Sequence, residues 1–184
     1  VQASDTDFLF ALEVGSELAP FYRMRGATPS PAQYSTQLWN DVLSQFMICD
    51  REQGHRLGVV ACYGANFRHQ HARVAGAIAP QLFGTAWPLE AFYLFLDYLF
   101  SVFGFRKLYG EVLEFNLTAF RSIIGKIAHE EGRLRDHEYF DDQYWDLVFL
   151  AIYRDEWEQK RRRLEIGGLR MPDSGDGEPV GQPE

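Results

Sequence analysis

The chain has 184 residues, of which 46% are hydrophobic and 15% aromatic, and its formal net charge at pH 7 is -8. A sequence of this size and apolar content can bury one substantial core and is short for two. Its acidic balance argues against a broad nucleic-acid-binding surface, because neutralising phosphates requires a cluster of basic residues. We therefore predict a single domain over residues 1–166 that does not bind nucleic acid.

The last part of the chain, residues 167–184, is rich in glycine, proline and acidic residues. This composition offers little apolar area to bury and predicts a disordered tail. No apolar run approaches the ~18 residues of a membrane span, and no charged-then-apolar leader opens the chain. Cys49 and Cys62 lie in strand-like runs without metal-ligand spacing, which indicates reduced core thiols. These features favour a cytoplasmic protein with no membrane association and no bound metal.

Helical and strand patterns alternate along the chain. In order, they predict helices at residues 5–14 and 30–43, strands at 45–50, 56–66 and 71–79, a helix at 85–103, a strand at 107–113, a helix at 116–128, strands at 134–140 and 145–153, and a short helix at 156–164. Ser30 is predicted as an N-cap with Pro31 in the first helical position. The order indicates an α+β fold whose sheet is mixed in direction, with helices on both faces.

The stretch from residue 78 to residue 91 reads IAPQLFGTAWPLEA, an apolar run followed by small residues at the start of a helix. Small side chains let a ligand approach the backbone closely, and a helix start presents unpaired N–H groups and a positive dipole end. These properties suit an anion such as a phosphate. A tight strand-to-helix turn without a ligand explains the same residues and remains the alternative.

Residues 81–86, QLFGTA, match the cofactor signature of the GNAT acetyltransferases, which is Gln or Arg, two residues, Gly, one residue, and then Gly or Ala. The chain resembles the RimJ/RimL type of this family from residue 30 to residue 157, and the further matching positions are Glu90 and Ala91, Tyr98, Phe100, residues 104–108, Asn116 and Arg121, residues 131–136, residues 144–146, and Glu156 and Trp157. The resemblance implies a GNAT-like fold with a largely antiparallel central sheet. It also implies acetyl-CoA as cosubstrate, without a metal.

The same resemblance implies which residues bind the cofactor, namely Ile78, Gln81, Leu82, Phe83, Gly84, Thr85, Ala86, Asn116 and Arg121. Asn116 has a second interpretation, since an asparagine at a helix start also serves as a cap. The sequence departs from the family at Ala119, at Ile127 and Ala128, and at Ile123, where the family often carries a tyrosine acid. The identity of the catalytic acid is therefore left open.

Acetyl transfer to an amine needs a base that removes a proton from the charged amine, and a group that protonates the leaving thiolate. Glu111 is the first candidate base, and an ion pair with a neighbouring Arg or Lys is its alternative role. His71 is the second candidate, and its alternative is a surface or capping histidine. Ser122 is the candidate donor to the thiolate, unless its hydroxyl only bonds the preceding helical turn.

The loop FYRMR, residues 21–25, is both aromatic and basic. Tyr22, Arg23 and Arg25 are predicted to contact an acceptor that has an acidic or planar part, with a loop held by packing of Tyr22 as the alternative. The predicted function is direct acetyl transfer from acetyl-CoA to a primary amine, on a small molecule or a protein N-terminus, and we also consider a homodimer. The alternatives are a protein that binds acyl-CoA or an acyl carrier without transfer, and a transferase of longer acyl groups.

Overall fold

A computed structural model describes residues 1–15, 19–85 and 87–166. The helices are α1 (Thr6–Glu13), α2 (Pro31–Gln37), α3 (Trp87–Val102) and α4 (Arg154–Ile166). The strands are β1 (Val42–Cys49), β2 (Arg56–Asn66), β3 (His71–Ile78), β4 (Lys107–Leu113), β5 (His129–Phe140) and β6 (Gln143–Tyr153). The predicted tail at residues 167–184 lies outside the described residues.

The strands form a 6-stranded sheet in the order β1-β2-β3-β4-β6-β5. β3 and β4 run parallel, and the other neighbouring strands of this sheet are antiparallel. The predicted α+β class with a mixed, largely antiparallel sheet is confirmed. No helix within the described ranges is long and apolar enough to cross a membrane.

Helices cover both faces of the sheet, as predicted. On one face α3 and α4 pack on a core that contains Val74 of β3 and Leu108 of β4. On the other face α1 and α2 pack on Val59 and Ala77. Since side chains alternate along a strand, β3 turns its odd-numbered residues toward the α1–α2 face, and β4 turns Tyr109 and Glu111 the same way.

The start of α2 agrees with the sequence analysis, but its end does not. Ser30 is the N-cap, because its Oγ accepts a hydrogen bond from the Gln33 amide at 3.3 Å, and Pro31 is the first helical residue. The helix ends at Gln37 rather than near residue 43, since the chain has already entered β1 at Val42. Cys49 at the end of β1 is exposed and only Cys62 is buried, so the prediction of two core thiols was wrong for Cys49.

The predicted helix at residues 116–128 is absent. A 3-10 helix spans Glu114–Phe120, turns follow, and β5 begins at His129 instead of near residue 134. Gly125 has φ +75, which is incompatible with a right-handed helix. Ile123 and Ile127 still lie in the core, at 3% and 1% exposure, although Ala119, which has the same spacing, is exposed. The apolar spacing therefore identified these two buried residues but not their backbone conformation.

Arg154 at the start of α4 fixes the end of α3. Its Nε and Nη1 donate to the carbonyl groups of Phe105 and Phe100, each at 2.6 Å, and its Nη2 donates to the carbonyl of Phe103. The terminal carbonyl groups of a helix have no partner within the helix, so this guanidinium supplies one.

Replacing this cation with an apolar side chain tests the contribution of the contact. Arg154→Met is expected to lower the free energy of unfolding by about 2–3 kcal/mol, because hydrogen bonds to charged groups are worth about 1.5–3 kcal/mol each and water would replace part of them. Urea denaturation gives the difference. Lys160→Met on the same helix is the control, and an equal loss in both variants would contradict the assigned role.

Candidate active site

The parallel pair β3 and β4 is joined over a short distance only. The paired residues are His71 with Lys107, Ala72 with Leu108, and Arg73 with Tyr109. Beyond them β3 continues to Ile78 and β4 to Leu113. The sheet is therefore parted along the carboxyl-terminal halves of these two strands, and we call this gap the β3–β4 opening.

The loop between β3 and α3 contains the predicted cofactor signature. It folds as a 3-10 turn at Pro80–Leu82. Phe83 N donates to Pro80 O at 3.1 Å, and both the amide and the hydroxyl of Thr85 donate to Leu82 O, at 3.1 and 2.7 Å. Several amides of this loop are thus engaged with carbonyl groups of the turn itself, so an anion would have to be met by other amides or by a rearranged turn.

Gly84 has a positive φ angle in this loop. Its φ is +78, and a Cβ placed on it would meet no heavy atom within 4 Å. The glycine is therefore needed for its backbone conformation, and it faces open space. Gln81, Phe83 and Thr85 are exposed beside it, and Ala86 lies outside the described residues. The predicted backbone approach to a ligand has room here.

Glu111 lies on β4 beside the opening, where it forms an ion pair. Arg73 of β3 donates from Nε to Glu111 Oε1 at 2.6 Å. The side chain of Glu111 is 19% exposed and that of Arg73 is 43% exposed. The contact spans the two strands at the point where their pairing ends. This is the alternative role that the sequence analysis gave to Glu111, and its role as base stays a prediction.

Tyr63 and Arg73 were missed by the sequence analysis. They are direct cross-strand partners on β2 and β3 and share one face of the sheet. Burial, followed by the charge of Glu111, raises the pKa of Tyr63, so its phenol stays protonated at neutral pH and can donate a hydrogen bond. The sequence pattern that could have identified Arg73 is the alternation of side chains along the strand 71–78, HARVAGAI. This alternation places His71 and Arg73 on the face of the sheet that also carries Glu111.

The loop that was predicted to contact the acceptor spans the β3–β4 opening. On the β3 side the Tyr22 hydroxyl donates to the carbonyl of Ile78 at 3.0 Å. On the β4 side the ring of Phe21 packs on Phe115 and Phe140, with centroid distances of 5.0 and 4.5 Å. We call residues 19–25 the strap.

Arg23 anchors the strap to the protein interior. Its guanidinium donates to the carbonyl of Leu38 and, at 2.8 Å, to Gln45 Oε1, and its Nε lies 3.7 Å from Glu13 Oε2. Burial raises the pKa of Glu13, although Arg23 and the Tyr34 hydroxyl partly oppose that shift. Arg25 is more exposed and lies 3.6 Å from Glu138. Acceptor contacts by Tyr22, Arg23 and Arg25 stay predictions.

Comparisons with known proteins bear on this arrangement. No protein-family model matches the chain, and no curated protein matches it. Among solved structures, a spermidine N-acetyltransferase SpeG from Vibrio cholerae in complex with CoA and spermine has a TM-score of 0.73 at 20% identity, over 86% of this chain and 95% of the other. A chimera of the Vibrio cholerae SpeG and hSSAT has a TM-score of 0.72 at 22% identity, over 86% and 95%. The protein has the GNAT fold.

Within this GNAT fold, the remaining cofactor candidates lie just after β4. Asn116 is exposed within the 3-10 helix, whose N-cap is Leu113, so the interpretation of Asn116 as a helix cap was wrong. Arg121 and Ser122 are exposed in the turns that follow. Ser122 therefore does not lie on a helix. The role of Ser122 as donor to the thiolate and the role of Arg121 as a cofactor contact stay predictions.

The α1–α2 face of the GNAT sheet carries a cavity of about 280 Å³ next to the Arg73–Glu111 ion pair. We call it the β3 cavity, and it is lined by His71, Arg73, Tyr109, Glu131, Gly132 and Phe149. A cavity of about 320 Å³ lies between β1 and α3, on the opposite face. Its lining includes Cys49 of β1 and Glu90 in the first turn of α3. The β3 cavity is the one of these two that Arg73 lines, beside the candidate base Glu111.

Proposed function

We propose that the protein is an acetyl-CoA-dependent N-acetyltransferase of the GNAT family that transfers an acetyl group directly to a primary amine. The observation that carries the proposal is the β3–β4 opening, which is followed by a glycine-containing loop at the start of α3 and has a carboxylate beside it. The fold shared with N-acetyltransferases, one of them in complex with CoA, supports it. The RimJ/RimL motifs support that branch of the family.

Acetyl-CoA would supply the activated acyl group, and the chain's own residues would position the reactants. The signature loop and the start of α3 suit the pyrophosphate, because N–H groups and the helix dipole favour an anion there. Ile78 ends β3, and Asn116 and Arg121 follow β4, so the remaining part of the cofactor would pass between these segments. Glu111 is suited to accept the amine proton once its contact with Arg73 is loosened.

A non-catalytic protein that binds acyl-CoA is the second candidate. Two observations favour it. Glu111 is paired with Arg73, and Ile123, at the position where the resembling family often has its tyrosine acid, is 3% exposed in the core. Binding and transfer must therefore be measured separately.

Thermal stability tests binding. CoA at 100 times its dissociation constant is expected to stabilise the protein by about 2.7 kcal/mol, because it binds only the folded state. For a chain of this size this corresponds to a rise in Tm of about 5–10 °C. An unchanged Tm with CoA and with acetyl-CoA would contradict both candidate functions.

Release of free CoA in the presence of acetyl-CoA and a library of primary amines tests transfer. Catalysis predicts thiol release that depends on the amine and a product whose mass is increased by one acetyl group. Binding of acetyl-CoA without amine-dependent release by any library member would favour the non-catalytic candidate.

A further inference from the structure

The β3 cavity brings a guanidinium, an imidazole and two aromatic rings to one face of the sheet. His71 and Arg73 extend from β3, Tyr109 from β4, and Phe149 from β6. The His71 and Tyr109 rings are in edge contact with centroids 5.8 Å apart. The side chain of Arg73 is 43% exposed, so it is accessible to a small molecule.

The charges at this cavity are unusual for a chain of net charge -8. Glu131 is neutralised by Lys107, whose Nζ donates to its two oxygens at 2.9 and 2.8 Å. Burial and then the positive charges of His69, Lys107, Arg73 and Arg106 lower the pKa of His71. Of these groups, Arg73 and Lys107 are each paired with a carboxylate, and Arg106 adds a further positive charge near His71.

Arg73 has capacity for a further partner. A guanidinium has five N–H donors, and among the described residues the hydrogen-bond acceptor of Arg73 is Glu111, which takes the Nε–H. The remaining donors are suited to a planar anion, since an Arg binds a carboxylate through two parallel hydrogen bonds. His71, two residues away on the same face, adds a donor beside it.

We propose that the acceptor is a zwitterionic, amino-acid-like amine whose carboxylate is bound by Arg73 and His71 while its ammonium group is bound by Glu111. This inference rests on the proposed acetyl transfer and specifies its substrate class. The acceptor opens the Arg73–Glu111 ion pair and replaces it with two intermolecular pairs, so no charge is left without a partner. A proton then passes from the ammonium group to a Glu111 oxygen, which leaves a neutral amine beside the thioester.

The same geometry disfavours a diamine. One ammonium group of a diamine would pair with Glu111, and the second would then lie next to Arg73, which has lost its carboxylate partner. Placing like charges together costs free energy, which makes the site selective by repulsion as well as by attraction. An n-alkylamine lies between these cases, because its single ammonium group pairs with Glu111 and leaves Arg73 unpaired without adding a second cation.

Three acceptor series of equal chain length test the proposal. They are ω-amino carboxylates of two to six carbons, the corresponding n-alkylamines, and the corresponding diamines. Release of free CoA gives kcat/KM. The change in the NMR resonance of the His71 imidazole protons as each acceptor is added gives the dissociation constant. Relative to its alkylamine, the best amino carboxylate is expected to have a kcat/KM about 10- to 100-fold higher and a dissociation constant about 10- to 100-fold lower, the usual effect of hydrogen bonds to a charged group.

Variants separate recognition from folding. Arg73→Gln should abolish the preference for the carboxylate, and Arg73→Lys should retain part of it because the charge remains but the paired geometry is lost. Arg68→Gln is the control, because Arg68 is exposed in the β2–β3 connection and its substitution changes the charge by the same amount. Circular dichroism verifies that each variant is folded.

The outcomes distinguish the inference from the function on which it rests. Preferred acetylation of diamines or alkylamines, an unchanged preference in Arg73→Gln, or no shift of the His71 resonance with any amino carboxylate would overturn the substrate class and leave acetyl transfer standing. Absence of CoA binding would overturn the proposed function itself.

Discussion

Glu111→Gln is expected to lower kcat by about 10²- to 10⁴-fold, the usual contribution of a general base, while CoA affinity stays unchanged. Glutamine keeps the shape of the side chain and a hydrogen-bond acceptor for Arg73, but it cannot accept the amine proton. The side chain of Arg73 is 43% exposed, so water can solvate its charge and the fold should tolerate the change.

The pH profile provides a second readout for Glu111. A carboxylate acts as a base only when it is ionised, so wild-type activity should fall as the pH decreases and this acidic limb should be missing in Glu111→Gln. Glu114→Gln is the control, because Glu114 follows β4 directly but pairs with Arg133, at 2.7 Å. Near-full activity of Glu111→Gln at every pH would exclude Glu111 as the base, and His71→Gln would be measured next.

Gly84→Val is expected to raise the dissociation constant of CoA by about 100-fold. A branched side chain at this position would fill the open space through which a phosphate could approach the backbone. Loss of one or two hydrogen bonds to a charged group, at about 1.5–3 kcal/mol each, accounts for the magnitude. Isothermal titration calorimetry gives the constant directly.

Gly54→Val is a closely matched control for this substitution. Gly54 has φ +69, and a Cβ on it would also meet no heavy atom within 4 Å, but it lies in the β1–β2 turn. Both substitutions carry a similar backbone strain, since an L-residue in this region costs about 1–2 kcal/mol. Equal CoA affinities of the two variants would contradict the assignment of the signature loop.

The sequence predicted the elements whose periodicity is local. Helix α3 follows from apolar residues at helical spacing, and the start of α2 follows from Ser30 and Pro31. The segment 116–128 shows where this reasoning fails. Its isoleucines have helical spacing, but Gly125 adopts φ +75 in a local turn, in which its amide donates to Ala128 O at 2.8 Å. β5 then begins early, at His129, where it pairs with Ala151 of β6, and this contact is distant in the chain.

The sequence predicted the signature motif of the candidate site, but it did not predict the contacts between side chains there. The signature at residues 81–86 is contiguous, so one sequence is enough to recognise it. The Arg73–Glu111 pair joins residues 38 positions apart, and the Arg23–Gln45 contact joins residues 22 apart. Such pairs depend on which strands become neighbours, and the pattern of residue types along the chain does not specify that.

The short pairing of β3 with β4 divides the backbone ladder of the sheet into two units, β1-β2-β3 and β4-β6-β5, joined by only three residue pairs. Beyond this junction, side-chain packing joins the two units, including the core that contains Val74 of β3 and Leu108 of β4. The strap crosses the free ends of the two units through Tyr22 and Phe21. The width of the opening is therefore set by side chains at its outer end, and substitutions in the strap would alter which ligands fit without changing either unit.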